Sequence, residues 1–188
     1  MPSDIILIGP ISAGKSTIGK LLAEQLKLPQ CSMDECRWDY YKEIGYDKKL
    51  AEQKRKEGGF WEIYQYWKPF EAYAVQRLLS DTQSDSQQYV IDLGAGHSVY
   101  EDSALFQSVE RVLQPYPNVV LLLPSPDLDK SVRILNVRNG YALGNGPNID
   151  EHFVMHPSNA RLAKLTIYTA GKTPEQICSE ILRQMSVA

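Results

Sequence analysis

The chain alternates between two kinds of hydrophobic pattern. Short, continuous apolar runs end abruptly at glycine or a turn. Ile5-Ile6-Leu7-Ile8 stops at Gly9, residues 88–93 stop at Gly94, residues 118–123 run into Pro124, and residues 165–169 stop just before Gly171. Runs without polar alternation belong to strands covered on both faces, as in a parallel sheet. The segment "QCSMDE" after the first helical stretch is a further candidate strand. Between the runs the period lengthens. Ile18, Leu21, Leu22 and Leu26 recur at helical spacing, which predicts a helix over 15–28 stopped by Pro29. A polar helix is predicted over 47–57, ended by Gly58-Gly59, then one from near Lys68 to Leu79, and one over 127–139 stopped by Gly140. Thr173-Pro174-Glu175-Gln176 opens the last helix, with Thr as N-cap, Pro at N1 and Gln at N3. Strands alternating with helices predict an α/β fold, a three-layer sandwich whose parallel sheet carries helices on both faces. Ligands then bind at the carboxyl ends of the strands, where Gly9, Asp92 and Leu123-Pro124 fall.

Composition narrows the class. The 188 residues carry a net charge of −3, with 43% hydrophobic and 23% charged residues. That length suits one domain, and that charge gives no general attraction for nucleic acid or an anionic membrane. No apolar run approaches a membrane span, and no signal-peptide pattern opens the chain. Three cysteines are too few and too irregular for a disulfide framework, so a cytoplasmic protein is expected.

The chemistry concentrates in one loop. Gly9-Pro10-Ile11-Ser12-Ala13-Gly14-Lys15-Ser16-Thr17 is G-x-x-x-x-G-K-S between a predicted strand and a predicted helix. In that context the loop's backbone N–H groups surround a β-phosphate, Lys15 reaches the β/γ oxygens and Ser16 ligates Mg²⁺. The fold expected is therefore that of the P-loop nucleoside triphosphate hydrolases, with ATP and Mg²⁺ as cofactors. Asp92, at the end of an apolar strand, is placed as a second metal-side carboxylate. Asp34 is placed to orient or deprotonate an acceptor hydroxyl. Cations for the developing phosphoryl charge are sought among Arg133, Arg138, Arg161 and Lys164; Arg133 is assigned to the nucleotide base and Arg138 to the phosphates. Eleven of the eighteen aromatics fall between Trp38 and Tyr73, and most are expected in the core. His152 and His156, four apart, lack the further ligands a metal site requires. His97 is expected either to touch an acceptor or to be exposed on its loop.

The order of these pieces resembles shikimate kinase, within the small P-loop kinases of the nucleoside-monophosphate-kinase fold, over nearly the whole chain. "GKSTIGKLLAEQL" is similar to that family's first helix, and "LTIYTAGKTPEQICSEIL" to its last strand and helix. The family's D-x-D pair corresponds to Ser32 and Asp34, and its G-G-G turn to Gly94-Ala95-Gly96. The resemblance implies that Asp34, Lys68, Gly94, Ala95 and Gly96 contact the acceptor. The family's F-R-x-x-E arginine aligns with Lys68 in Trp67-Lys68-Pro69-Phe70-Glu71, a charge without the guanidinium fork. A second substrate arginine aligns with Met155, and no R-P-L-L-type lid is present. The expectation is a kinase acting on a small molecule other than shikimate, with an acceptor region over 35–75 and a lid over 139–160, working as monomer or homodimer. A nucleoside or nucleotide kinase, an antibiotic or sugar phosphotransferase, and a non-enzymatic ATP-binding switch or ATPase remain as alternatives.

Overall fold

The structure, a computed structural model, describes residues 4–140 and 148–185. Its centre is a five-stranded, all-parallel sheet in the order β2-β3-β1-β4-β5. The strands are β1 (Ile5–Ile8), β2 (Gln30–Ser32), β3 (Val90–Asp92), β4 (Asn118–Leu123) and β5 (Leu165–Tyr168). β1 lies in the middle, with Leu7 opposite both Asp92 on β3 and Val120 on β4. Its four residues are all buried, which explains a run without alternation.

Successive side chains of each strand go to opposite faces. Ile6, Ile8, Ile91, Val119 and Leu121 pack on one side against α2 (Met33–Glu43), α3 (Lys48–Ser84) and α4 (Ser103–Leu113). Ile5, Leu7, Val90, Val120 and Leu122 pack on the other against α1 (Lys15–Leu26) and α8 (Pro174–Met185). This is the three-layer arrangement predicted. α5 (Leu128–Asn139), α6 (Ile149–Met155) and α7 (Ser158–Leu162) complete the chain's helices among the described residues, with a 3₁₀ turn over Ala95–Ser98.

Several boundaries differ from the sequence reading. α1 ends before Pro29, because Lys27 turns left-handed (φ 55°) and its N–H closes on the Ala23 and Glu24 carbonyls. The helices expected at 47–57 and from Lys68 are halves of one long α3, broken only at Gly59 (φ 68°, ψ −148°). Asp47 caps it through the Lys49 and Leu50 N–H groups, and Pro69 sits inside it. The helices α2, α4, α6 and α7 were not predicted. α2 is mostly polar, so periodicity did not reveal it. The lid expected over 139–160 falls partly on 141–147, which lie outside the described residues; α6 and most of α7 occupy the rest.

The final helix begins as predicted. Thr173 Oγ1 accepts from the Gln176 N–H at 3.3 Å, and Gln176 Oε1 accepts from the Thr173 N–H at 2.9 Å. Both residues are exposed, so replacement alters the cap and little else. Thr173→Ala is expected to lower stability by about 1 kcal/mol in urea titration. An unchanged midpoint would show that the cap contributes nothing.

Candidate active site

The loop from Gly9 to Thr17 joins β1 to α1 at the carboxyl edge of the sheet. Gly9 has φ 138°, and a Cβ there would lie 2.5 Å from the Leu122 carbonyl oxygen. The loop can therefore start here only with glycine. Gly14 (φ 102°) forms the N-cap of α1, so the free N–H groups of the first helical turn face the loop's interior.

Lys15 is buried, and its Nζ donates to the Gly9 and Pro10 carbonyls at 2.9 and 2.8 Å. Burial pushes its pKa down to about 8, against the opposing pull of Asp34 and Asp92. This is a cation enclosed by loop backbone, with only carbonyl oxygens as direct partners. An anion entering the loop would supply the countercharge it lacks.

Asp92 ends β3, almost wholly buried. Its Oδ1 accepts from Ser32 at 3.0 Å and Ser16 at 3.3 Å, and its Oδ2 from Gln30 at 2.8 Å. The parallel register brings this about by aligning Ser32 with Asp92. Ser16 Oγ and the Asp92 carboxylate form an oxygen-only pair of the kind hard divalent cations take, so the residues present fit Mg²⁺.

Asp34 lies in the first turn of α2. A Cβ on Gly94 would come within 2.8 Å of its Oδ1, so the turn after β3 passes directly beneath the carboxylate. A cavity of about 340 Å³ is lined by Ile11, Ser12, Gly14, Lys15, Ser16, Thr17, Asp34 and Ala95. The structure thus brings the phosphate loop, Asp34 and the Gly94–Gly96 turn to one opening. The short β2 explains this, because it delivers the start of α2 to the same sheet edge as the loop.

The basic residues divide. Arg138 donates from NH1 to the Ser12 carbonyl at 3.2 Å, at the loop's rim. Arg133 is exposed on α5. Arg161 is held by Glu110 at 3.2 Å and lies over the Phe106 ring, on α4. Lys68 is buried under the glycine turn. Its Nζ donates to the Gly96 and Val99 carbonyls at 2.8 and 2.9 Å and pairs with Glu71. It also lies 4.0 Å from the Tyr64 ring centroid. Met155 is part-exposed on α6.

Three features escaped the sequence reading. His97 is fully buried beneath Gly94, with Nε2 at 3.2 Å from the Tyr41 hydroxyl and Nδ1 without a partner. Burial holds its pKa well below the ordinary value, so it stays neutral. Loop exposure of His97 is therefore corrected: the turn folds back over it. Asn139 accepts from Ser12 and donates to both oxygens of Asp150, tying the loop to α6. The N-cap position of Asn148 and the D-E that follows it were the available signal. Finally, His152 Nε2 lies 2.9 Å from Glu101 and 3.0 Å from the Tyr64 hydroxyl. Among the described residues no group of three or more His, Cys, Asp or Glu gathers as a metal site.

A phosphate loop on the central strand, a buried carboxylate on its neighbour and the order β2-β3-β1-β4-β5 give the chain a P-loop fold similar to that of shikimate kinases. The relatives agree. The shikimate kinase of Enterococcus faecalis is 28% identical over 184 residues, covering 96% of this chain and 97% of that protein. The structure of shikimate kinase from Acinetobacter baumannii in complex with shikimate superposes with a TM-score of 0.64 at 18% identity, covering 100% of this chain and 94% of that one. A gluconokinase from Sinorhizobium meliloti superposes with a TM-score of 0.54 at 12% identity, covering 99% and 93%. No protein-family model matches the chain.

The Lys15 environment makes a pH prediction. Its folded pKa is about 8 against an ordinary 10.5, so between these values the unfolded chain binds more protons. Stability contributed by this group therefore rises with pH across that window. The urea midpoint of the wild type minus that of Lys15→Met is expected to increase from pH 8 to pH 10. A constant difference would place the ammonium in water.

Proposed function

We propose that the protein is an ATP-dependent phosphotransferase that moves the γ-phosphate of Mg-ATP to a hydroxyl of a small acceptor other than shikimate. The observation that carries this reading is the shared opening of the phosphate loop and Asp34. A protein that only bound nucleotide would not need a carboxylate facing the position of the terminal phosphate.

The chain's groups divide the work. Backbone N–H groups from Gly9 to Thr17 hold the phosphates, and Lys15 turns from the Gly9 and Pro10 carbonyls to their oxygens. Ser16 and Asp92 would hold Mg²⁺, which when bound would neutralise charge on the phosphates. Asp34 accepts the proton of the acceptor hydroxyl as its oxygen attacks phosphorus. Gly94, Ala95 and Gly96 border the acceptor from the turn below. Arg138 moves from the Ser12 carbonyl to the transferring phosphoryl group, and Arg133 flanks the base. Lys68 acts from beneath the turn, holding Gly96 through its carbonyl. A cation already paired with Glu71 and two carbonyls supports an acceptor different from that of the arginine-bearing relatives. The gluconokinase and shikimate kinase similarities support a hydroxylated small molecule in that place.

Lys15→Ala and Arg138→Ala should each lower transfer by roughly 10²–10³-fold, and Asp34→Asn by roughly 10²–10⁴-fold, with folded circular dichroism spectra. The measurement is ADP release across a library of alcohols, hydroxy acids, sugars and nucleosides. Full turnover in Lys15→Ala would sink the assignment. ADP release that no acceptor changes would identify an ATPase or switch instead.

A further inference from the structure

The face of α2 that begins at Asp34 leads away from the phosphate loop. Arg37 and Trp38 follow at helical spacing, then Lys42 one turn on. The Arg37 guanidinium lies 4.5 Å over the Trp38 ring, while its NH1 stands 3.4 Å from Asp34 Oδ1. Its Nε is buried without a hydrogen-bond partner. Arg37 is thus held between the Asp34 carboxylate and the Trp38 indole face.

Trp38 also lines a second cavity of about 510 Å³, with Lys42, Tyr46 and Lys48. It shares no lining residue with the loop cavity. Its size falls within the usual range for small-molecule sites. The Trp38 and Tyr46 rings are 5.5 Å apart and inclined at 50°, so they touch and form one aromatic wall of the cavity, and Trp38 is 37% exposed. A flat ring can lie against such a wall.

The charge around the wall is unevenly committed. Glu43 is held by Tyr73 and Arg77. Asp47 Oδ1 caps α3 through the Lys49 and Leu50 N–H groups. Only Asp39 faces a lining lysine, bonding Lys42 at 2.9 Å with both side chains largely exposed. Exposed pairs of this kind contribute little and release their cation easily. Lys48 is exposed at the start of α3. The cavity therefore offers an aromatic wall and two available ammonium groups.

We propose that this cavity binds a small aromatic anion, its ring against the wall formed by Trp38 and Tyr46 and its charge between Lys42 and Lys48, and that Arg37 transmits its presence to Asp34. A ring pressed on Trp38 competes for the packing that positions the guanidinium. Asp34 is the only carboxylate within ion-pair distance of that guanidinium among the described residues. This site goes beyond the phosphotransferase reading and does not depend on it.

The probe is phenyl phosphate, followed by ¹⁵N spectroscopy of the three tryptophan indoles, with Trp38→Phe identifying the Trp38 signal. The Trp38 indole signal and the Arg37 Nε–H signal are expected to move together and to saturate. Lys15→Ala, which disables the phosphate loop, should retain both movements. Lys42→Glu/Lys48→Glu should weaken binding by about tenfold or more, from two attractions turned to repulsions. Because both lysines are exposed, this variant should keep the wild-type spectrum elsewhere. Lys48→Gln, a milder change, should weaken binding by a smaller factor. A static Trp38 signal, equal affinity in the charge-reversed variant, or equal response to inorganic phosphate or benzyl alcohol would overturn the site. Movement at Trp38 with a stationary Arg37 signal would overturn the coupling.

Discussion

The buried carboxylate of Asp92 is the constraint on which the site depends. A charge in that position must be surrounded by donors, because leaving it unpaired in the interior would cost several kcal/mol. Three side chains meet the demand: Ser16 from α1, and Ser32 and Gln30 from β2. The two from β2 arrive only if β2 and β3 pair in register, and Ser16 arrives from the helix that follows the phosphate loop. The same bonds that neutralise Asp92 therefore set the distance between the phosphate loop and the start of α2. That distance decides whether Asp34 faces the loop.

A second buried charge acts on the opposite wall. Lys68 and Glu71 are both nearly inaccessible, and they neutralise each other one turn apart on α3. Neither is spare. A Cβ at Gly96 would lie 2.2 Å from Glu71 Oε1, so the turn can rest on this pair only where the residue has no side chain. His97 fills the space on the other side, bonded to Tyr41. The turn that borders Asp34 is held from below by charge and from behind by an aromatic cluster, so its backbone is fixed before any acceptor arrives. Such preorganisation lowers the reorganisation needed at the moment of reaction.

The sheet was legible in the sequence because its strands are buried on both faces, and the loop because its glycines and lysine stand at fixed spacing. α3 was legible at its ends but not in its middle. Gly58-Gly59 suggested the end of one helix and a separate start near Lys68, whereas only Gly59 leaves helical geometry. Tertiary packing of Ile63, Tyr64 and Phe70 carries the helix through Pro69. α2 was hidden for a related reason: only Met33 and Tyr41 are fully buried on it, with mostly polar residues between. Asp34 and Gly94 could be named from spacing, but not their contact, which arises from strand order. Lys68 shows the limit most clearly. Sequence assigns a charge to position 68, but only packing determines whether that charge points at a ligand or is consumed within the fold.

The phosphate loop is also tied to the far side of the site. Ser12 bonds Asn139, Asn139 bonds Asp150, and Arg138 bonds the Ser12 carbonyl. Asp150 is wholly inaccessible, and burial raises its pKa, so its bonds with Asn139 are needed to keep it in place. Ser12 has a left-handed backbone (φ 57°), which few side chains adopt without compensation. Those bonds provide it. Phosphate entering the loop would compete with the loop carbonyls for Arg138 and Lys15. Both cations would leave backbone oxygens for phosphate oxygens. The end of α5, which carries Arg138 and Asn139 together, is the segment through which that exchange reaches α6.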